Sequence, residues 1–412
     1  MRPQIPHITR SMIYQLALRF PGVRRRADII GDPGAEAEPC SLMLIKKIAN
    51  PIKLREEFGD AAAEILQSVT FVGFQKENWG DYSGANGILN LLPVGGIFLK
   101  RPVPGVVYRA WKPFRGYFRK RNSGYEINSA YLELNVAYDW LRKRNRIYHF
   151  LSGENEYFFS GGLKRYNRNH RIVCTFHSPV TEYLNTVFDH RKIQHIDAAV
   201  VVAGNMADFF ASLIGPGRVW NIPLGVDTGY WHPGANVPGK TSRRVLFIGS
   251  HFRDFEVLRK VICAIVSRAK DVSFDAVLSA KDAMALKGLS GVTIHTNIDD
   301  SQLRTLYQTS DLFICPLLQC TASLSLLEAM ACGLPIVATR TGGVPDYVTA
   351  ESGVLTGPGD AEEMAEAILR LLDDETGRAR MSGAARQQAL ELDWKVIALR
   401  LTEVYRSLQA NQ

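Results

Sequence analysis

Short apolar runs alternate along the chain with longer segments whose apolar residues recur at helical spacing. In the first half, these runs predict strands at 68–74, 147–151, 172–176, 198–202 and 219–223. In the second half, they predict strands at 244–248, 272–278, 292–295, 312–317, 335–339 and 353–356. Repeated strand–helix alternation is typical of parallel sheets covered by helices. We therefore predict an α/β fold with two doubly wound, Rossmann-like parallel-sheet domains that face a central cleft.

Changes in composition divide the chain into five segments. Residues 1–67 include a stretch rich in Gly, Pro and Glu, which predicts a poorly defined N-terminal extension. Residues 68–232 are predicted to form the first domain, and the Pro- and Gly-rich residues 233–243 a linker. Residues 244–392 are predicted to form the second domain. We expect residues 393–412 to be a helix that packs back on the first domain.

The segment 320–348 contains an apolar helix with one carboxylate in its middle. It reads CTASLSLLEAMACGLPIVATRTGGVPDYV, and Glu328 is the acidic residue of that helix. Burying an unpaired carboxylate is costly, so a buried Glu328 would need something to bind. The alternative is that Glu328 is an ordinary surface residue in contact with water.

The start of the same helix predicts an anion-binding group. Thr321 and Ser323 end a short polar loop, so backbone N–H groups and the helix dipole could face an anion there. Glu328 follows Ser323 by roughly 7–8 Å along the axis, at 1.5 Å per residue. That separation is close to the span from the diphosphate of a nucleotide to its ribose hydroxyls. One helix could therefore hold both parts of a nucleotide.

This segment resembles the nucleotide-sugar site of retaining glycosyltransferases with the GT-B fold, in particular glycosyltransferase family 4 (glycosyl transferases group 1). The stretch LLEAMACGLPIVATRTGGVPDYV matches the signature of that family almost position for position. The resemblance implies transfer of a sugar from a nucleotide-diphosphate sugar to a glycan or lipid-linked acceptor, in the biosynthesis of cell-surface polysaccharide or glycolipid. It also implies that Glu328 binds the donor ribose, and that the backbone at Ser323 and Leu324 meets the diphosphate.

One position departs from the family pattern. The family usually has another Glu near the donor sugar, eight positions earlier, where this chain has Cys320. This departure leaves the identity of the sugar open. It also leaves open a second hypothesis, a catalytically inactive protein that binds nucleotide sugars on the GT-B scaffold.

His177 is the candidate catalytic residue. It follows the predicted strand 172–176 in the phrase TFHSP, so it would lie at the carboxyl end of a strand and reach into the cleft. The phrase resembles a family segment whose His lies near the transferred sugar. The alternative is a structural His whose ring is satisfied by its surroundings. His149, in the phrase YHF, is open to the same two interpretations.

The first loop of the second domain contains Gly249 and Arg253. The family usually carries an Arg and a Lys here, which neutralise the departing diphosphate. This chain has Ser250 at the Arg position and lacks the Lys. Arg253 could replace them as a bidentate phosphate donor, or it could simply pair with Asp254.

Two further loops complete the predicted site. Ser83 and Gly84, in a glycine loop of the first domain, are candidates for the diphosphate or acceptor, because glycine permits close backbone contact. The competing account is an ordinary turn. The resemblance implies that the nucleobase is read largely through backbone, here near Asn297.

Neither a metal ion nor a cofactor is expected. No Asp-x-Asp pair ends a predicted strand, and no His/Cys cluster has metal-ligand spacing. Helix amides and basic residues would then stabilise the leaving diphosphate. The resemblance implies that the acceptor attacks on the face from which the nucleotide leaves.

The charge distribution adds a possible partner surface. The 412 residues carry a net charge of +8, and the basic residues concentrate between 100 and 146. Aromatic residues interleave with them there: Tyr108, Trp111, Phe114, Tyr117 and Phe118. Such a surface suits anionic lipid headgroups or nucleic acid, and the transferase resemblance favours the membrane. The alternative is a solvated face whose aromatic residues belong to the core.

No apolar run approaches the length of a bilayer span, and the first residues do not form a convincing signal peptide. We expect a cytoplasmic protein, peripheral on the inner membrane face, with no nucleic-acid partner.

Overall fold

The computed structural model describes residues 44–74, 92–99, 108–109, 111–234 and 243–410. Within these residues, two largely parallel β-sheets are flanked by helices, and the predicted α/β fold with two parallel-sheet domains is confirmed. The predicted strands of both halves are present, with ends that differ from the predictions by one or two residues.

The first sheet has seven strands in the order β1-β3-β2-β4-β5-β6-β7. Its strands are β1 (Leu44–Lys47), β2 (Val69–Phe74), β3 (Gly96–Leu99), β4 (Ile147–Phe150), β5 (Arg171–Phe176), β6 (Ala198–Val201) and β7 (Val219–Asn221). Strand β1 is antiparallel to β3, and the other pairs are parallel. The helices of this half are α1 (Pro51–Phe58), α2 (Asp60–Ser68), α3 (Arg115–Arg119), α4 (Ile127–Arg142), α5 (Gly153–Glu156), α6 (Val180–Thr186) and α7 (Ala207–Ile214).

The second sheet has six parallel strands in the order β10-β9-β8-β11-β12-β13. Its strands are β8 (Arg243–Ile248), β9 (Val272–Val277), β10 (Val292–His295), β11 (Leu312–Cys315), β12 (Ile336–Thr339) and β13 (Gly353–Thr356). The helices are α8 (Phe255–Arg268), α9 (Asp300–Thr309), α10 (Leu324–Ala331), α11 (Val344–Tyr347), α12 (Ala361–Asp373), α13 (Glu375–Leu390) and α14 (Trp394–Ala410).

The structure differs from the expectation of a poorly defined extension over 1–67. Residues 44–68 contribute β1, α1 and α2 to the first domain. Helix α2 is amphipathic and buries Ala62, Ala63, Ile65 and Leu66. Residues 44–68 therefore lack the Gly- and Pro-rich composition found further towards the N-terminus. The apolar face of α2 packs in the core of the first domain instead. Strand β3 was also not predicted, and it lies in a fully buried apolar segment, 92–99.

Helix α14 leaves the second half of the chain and lies against the first domain. Near its C-terminal end, the Gln409 side chain donates to the Ser68 hydroxyl at 3.0 Å. At its start, the backbone of Val226 exchanges hydrogen bonds with Leu392 and Trp394. Gly225 is needed there, because a Cβ at that position would lie 2.4 Å from the Trp394 ring. Gly225 and Val226 thus anchor the crossover between the two halves.

The aromatic residues of the basic stretch are mostly core. Phe118 is buried with Tyr125 and Phe158, and Trp111 and Phe114 pack against them. Tyr108 and Tyr117 are exposed, and Arg121 lies over the Tyr117 ring. Of the five aromatic residues in the basic stretch, Trp111, Phe114 and Phe118 therefore belong to the core, as the alternative interpretation predicted. In the described part of the chain, no helix has the length and apolarity needed to cross a bilayer.

His149 joins α14 to the first sheet. It lies on β4 and is 1% exposed. Its Nδ1 is 2.6 Å from the Tyr405 hydroxyl on α14, and its Nε2 is 2.7 Å from the Thr175 hydroxyl on β5. Burial, with a smaller contribution from the nearby His177, lowers the pKa of His149 to about 3. The structure thus supports the structural interpretation of His149, since both ring nitrogens have partners.

This lowered pKa predicts a pH dependence of stability. An unfolded His has a pKa of about 6.5, so on acidification the unfolded chain binds a proton that folded His149 does not. The stabilising effect is complete above pH 6.5 and is lost as the pH falls towards 3. Between pH 7.5 and 5.5 we expect His149 to lower the free energy of unfolding by about 1.4 kcal/mol.

Urea unfolding of the wild type and a His149→Gln variant at both pH values measures this effect. The stability of the variant should change by about 1.4 kcal/mol less than that of the wild type over this interval. A variant of an exposed residue that does not titrate, Leu141→Gln, should keep the wild-type pH dependence. Identical pH dependence of wild type and His149→Gln would contradict the assignment.

Candidate functional site

Helix α10 carries a buried carboxylate in an apolar surrounding. It begins after Ser323, whose backbone is extended, and seven of its eight residues are buried. Glu328 is only 4% exposed. The helix ends before Gly333, which has a φ of +75°, and the chain then enters β12. The alternative that Glu328 is a solvated surface residue is therefore wrong.

The sequence did not show that Glu328 has a partner on another helix. The Tyr307 hydroxyl on α9 donates to Oε2 of Glu328 at 2.9 Å and also lies 3.1 Å from the Ser325 carbonyl. Tyr307 is fully buried. Burial and the nearby Glu328 charge raise the pKa of Tyr307 well above its usual value, so the phenol remains a donor. No periodicity marks Tyr307, because only the packing of α9 brings it to α10.

Arg253 lies at the N-terminal end of α10. Its Nη2 donates to the hydroxyls of Ser323 at 3.2 Å and Ser325 at 2.9 Å, and its Nε donates to the Ile248 carbonyl at 3.1 Å. Gly249 has a φ of +107°, and a Cβ there would lie 2.7 Å from Nη2 of Arg253. Glycine therefore leaves the space that the guanidinium occupies.

The alternative that Arg253 pairs with Asp254 is not what the structure shows. Asp254 instead caps α8 and accepts from the Val257 amide at 3.0 Å. Among the described residues, no carboxylate forms an ion pair with Arg253. A positive charge is thus held beside the first amides of α10, where anions are favoured.

The glycine pair after β12 packs directly on the loop before α10. Gly342 has a φ of +54°, and a Cβ there would lie 1.8 Å from the Cys320 carbonyl oxygen. The Gly343 amide donates to that same carbonyl at 2.9 Å. These contacts fix the path of residues 320–323, and hence the direction of the amides that begin α10.

Cys320 cannot act as the carboxylate that it replaces. It is 7% exposed. Burial, more than its proximity to Cys315, raises the pKa of its thiol to about 12, although Arg253 acts in the opposite direction. At neutral pH the side chain is therefore an uncharged, weakly polar group.

His177 is brought to this loop from the first domain. The Thr321 hydroxyl donates to the His177 carbonyl, and Nε2 of His177 is 2.7 Å from the Leu151 carbonyl. In the neutral ring, donation to that carbonyl places the proton on Nε2 and leaves Nδ1 as an acceptor. The two sequence candidates, His177 and the 320–323 loop, thus meet where the domains face each other.

Glu154 is a buried residue of this region that the sequence analysis missed. It is 3% exposed. Its Oε1 accepts from the amides of His177 and Ser178, both at 3.1 Å, and from the Ser178 hydroxyl at 3.2 Å. Its Oε2 is buried and has no hydrogen-bond partner within the described part of the protein. The sequence feature that could have pointed to Glu154 is the acidic segment GENE, which closely follows an apolar strand.

The remaining candidates lie elsewhere or outside the described residues. Leu324 is the first residue of α10. Asn297, with a φ of +55°, is exposed after β10. Strand β10 is two positions from β8 in the sheet, which corresponds to about 10 Å. Ser83 and Gly84 lie outside the described residues.

Comparison with known protein families identifies the second half of the chain. Residues 242–374 match the family model described as Glycosyl transferases group 1. The chain is 27% identical over 250 residues to the D-inositol 3-phosphate glycosyltransferase of Corynebacterium glutamicum, an alignment that covers 53% of this chain and 60% of the relative. It is 29% identical over 213 residues to the MMP alpha-(1->4)-mannosyltransferase of Mycolicibacterium hassiacum, covering 48% and 50%. The chain thus matches between 50% and 60% of the length of these relatives.

Solved structures share the fold over more of the chain. The sucrose-phosphate synthase of Thermosynechococcus elongatus superposes with a TM-score of 0.59 and 19% identity, covering 85% of this chain and 93% of the other. Anabaena HepE in complex with UDP superposes with a TM-score of 0.56 and 16% identity, covering 67% and 82%. At these identities the likeness shows the GT-B fold.

The contact between Gly342 and Cys320 predicts a large effect of a single methyl group. Gly342→Ala would place a Cβ 1.8 Å from a carbonyl oxygen, in addition to the cost of a positive φ. Gly359→Ala is the matched control, because Gly359 has a φ of +77° but nothing within 4 Å of its added Cβ. We expect both variants to lose about 1–2 kcal/mol from backbone strain, and Gly342→Ala to lose at least about 2 kcal/mol more. Chemical denaturation measures the difference, and equal losses would contradict the predicted clash.

Proposed function

We propose that the chain, whose residues 242–374 match the group 1 glycosyltransferase model and whose structure has the GT-B fold, transfers a sugar from a nucleoside-diphosphate sugar to a glycan or lipid-linked acceptor. The observation that carries the proposal is the buried Glu328 on α10 together with the Arg253 guanidinium, which a neighbouring loop holds at the N-terminal end of that helix. This pairing provides an acceptor for hydroxyls and a donor for an anion.

Glu328 would bind the ribose hydroxyls of the donor. The carboxylate, whose Oε2 accepts from the Tyr307 hydroxyl, can accept from more than one donor. The rise from Ser323 to Glu328 is roughly 7–8 Å. Ribose at Glu328 therefore puts the diphosphate near the first turn of α10. The base would then extend towards the loop of Asn297, where the backbone would contact it.

Arg253 and the first amides of α10 would stabilise the leaving diphosphate. As the bond between the sugar C1 and the phosphate oxygen breaks, negative charge develops on the diphosphate. A guanidinium already held in place by Ser323 and Ser325 needs little reorganisation at that moment. These groups would replace the usual Arg and Lys of the family, and we propose that the reaction needs no metal ion.

We further propose that the transfer retains the configuration at C1. The acceptor hydroxyl would attack C1 on the face from which the diphosphate leaves, and its proton would pass to a diphosphate oxygen. His177 would bind a hydroxyl of the transferred sugar through its Nδ1, because Nε2 is engaged by Leu151. The neutral Cys320 thiol would contact the sugar without the strong acceptor that a Glu supplies. The preferred sugar would then differ from one that requires a carboxylate there.

The acceptor would be presented to the first domain. Exposed cationic side chains around α3, together with the exposed Tyr108 and Tyr117, support an acceptor held at an anionic membrane surface. Three of the five aromatic residues contribute to packing instead, so charge would supply most of that attraction.

Incubation with UDP-, GDP- and ADP-sugars, with and without a metal chelator, tests the proposed activity. Release of nucleoside diphosphate that persists with the chelator is expected, and product NMR should show the anomeric configuration of the donor. Acceptor carried on anionic vesicles should be used faster than the same acceptor on neutral vesicles. Tight nucleotide binding without turnover would favour an inactive nucleotide-sugar-binding protein instead.

Glu328→Gln should weaken binding of the preferred nucleoside diphosphate at least about tenfold, since a neutral amide accepts more weakly from two hydroxyls. Calorimetric titration measures this effect, and thermal unfolding checks that the variant is folded. Glu351→Gln, which changes an exposed carboxylate of the same domain, is the control and should bind as the wild type does. Unchanged affinity in Glu328→Gln would remove the ribose assignment.

His177→Ala should lower turnover by about a hundredfold or more while changing donor affinity much less, because its proposed contact is with the sugar undergoing reaction. Steady-state kinetics and nucleotide titration separate the two effects. His232→Ala, at an exposed position, should leave both unchanged. Equal turnover in His177→Ala and wild type would place His177 outside the reaction.

A further inference from the structure

A basic concavity lies on the first domain at the edge opposite the candidate site. It is about 540 Å³ in volume. The side chains that give it its charge are those of Lys164, Arg165, Arg168 and Arg171, with His195 and Asp197 beside them. Arg171 begins β5, and Asp197 immediately precedes β6. The concavity is therefore at the amino ends of these strands, whereas His177 follows the carboxyl end of β5.

The length of β5 separates the two regions. The six residues of this strand span about 20 Å at 3.3 Å per residue. A ligand in the basic concavity would therefore not touch α10 or His177. The two regions share no residue, so binding of a ligand in this concavity does not depend on the proposed transferase activity.

Two of the four cations are held by the protein itself. The Lys164 ammonium donates to Oδ2 of Asp197 at 2.6 Å, and the same carboxylate oxygen accepts from the Ile172 amide at 2.7 Å. The one acidic residue of the concavity is thus engaged twice. Nη1 of Arg171 donates to the Arg168 carbonyl at 2.9 Å. These contacts order the backbone of the turn that carries the other two arginines.

Arg165 and Arg168 carry the remaining positive charge. Both are exposed, and among the described residues neither forms an ion pair with a carboxylate. The Arg165 guanidinium lies 4.8 Å from the centre of the Tyr166 ring, which restricts its orientation. Four cations around one engaged carboxylate repel one another, and an anion placed between them relieves that repulsion.

The turn beneath these side chains leaves room for a ligand. Gly162 is exposed, and a Cβ added there would meet no atom within 4 Å. Gly161 is packed tightly, since its Cβ would lie 2.4 Å from the Tyr157 hydroxyl and 2.6 Å from Cβ of His195. The glycine pair thus fixes the turn on one side and keeps its other side open at the floor of the concavity.

We propose that the basic concavity binds the phosphate group of a small phosphomonoester. Two guanidinium groups present paired N–H donors that match phosphate oxygens, and Lys164 adds a nearby point charge. A phosphomonoester carries close to two negative charges at neutral pH, which suits a surface with three more basic than acidic side chains: four (Lys164, Arg165, Arg168, Arg171) less one (Asp197).

Calorimetric titration of the full chain with inorganic phosphate and with glycerol 3-phosphate tests this site. The double variant Arg165→Ala/Arg168→Ala should bind both probes at least about tenfold more weakly, because it loses both bidentate donors. Arg55→Ala/Arg191→Ala makes the same change of charge at two exposed positions of the same domain and should stay within about twofold of wild type. Arg253→Ala, which alters the candidate donor site, should also stay within about twofold.

Three outcomes would overturn the proposal. Wild-type affinity in Arg165→Ala/Arg168→Ala would show that these arginines do not hold the phosphate. A loss confined to Arg253→Ala would assign the phosphate to the donor site. Equal losses in the two double variants would mean non-specific attraction to a basic protein. Thermal unfolding of each variant verifies folding, and Arg165→Gln/Arg168→Gln, which retains polar side chains, should reproduce the loss.

Discussion

The burial of one carboxylate in an apolar helix constrains much of the second domain. An unpaired carboxylate would cost several kcal/mol at the position of Glu328. A hydrogen bond from the Tyr307 hydroxyl, on another helix, offsets part of this cost. Burial raises the pKa of Tyr307 and so keeps its hydroxyl protonated. The helix then retains an acidic acceptor within a wall of leucine and alanine. Such an arrangement has little value for packing alone, because an apolar residue would fill the same place at no electrostatic cost.

The loops around the N-terminal end of α10 fix the direction in which this helix begins. Gly342 and Gly343 allow the backbone after β12 to lie against residues 320–323, and Gly249 admits the Arg253 guanidinium. The first domain adds His177. Its carbonyl accepts from the Thr321 hydroxyl, and its amide donates to the Glu154 carboxylate. Three loops of the second domain and one of the first thus share a single network of short contacts. A displacement in one of them would be transmitted to the beginning of the helix.

The two domains are also joined away from this network. Helix α14 returns to the first domain, where the Tyr405 hydroxyl meets His149 in the core of the first sheet. The backbone of Val226 is paired with the residues on either side of Asp393. At the domain interface, the Tyr347 hydroxyl donates to the Val202 carbonyl at 2.5 Å. The contacts on both sides of the cleft therefore belong to one continuous structure, in which the catalytic candidates of the first domain have a defined position relative to α10.

The sequence by itself determined the two-sheet architecture, because buried parallel strands are continuous apolar runs with helical segments between them. It also marked Glu328, since a single charge in an apolar helix is visible without a structure. Tertiary structure decided what that charge contacts. Tyr307 and Glu154 are ordinary residues in their own segments, and only long-range packing brings them to α10 and to His177. It also decided the contacts of Arg253, whose neighbour Asp254 was the nearer partner in sequence but caps a helix instead. Local patterns specify which groups a segment carries, whereas the pairing of groups far apart in the chain depends on how the segments pack.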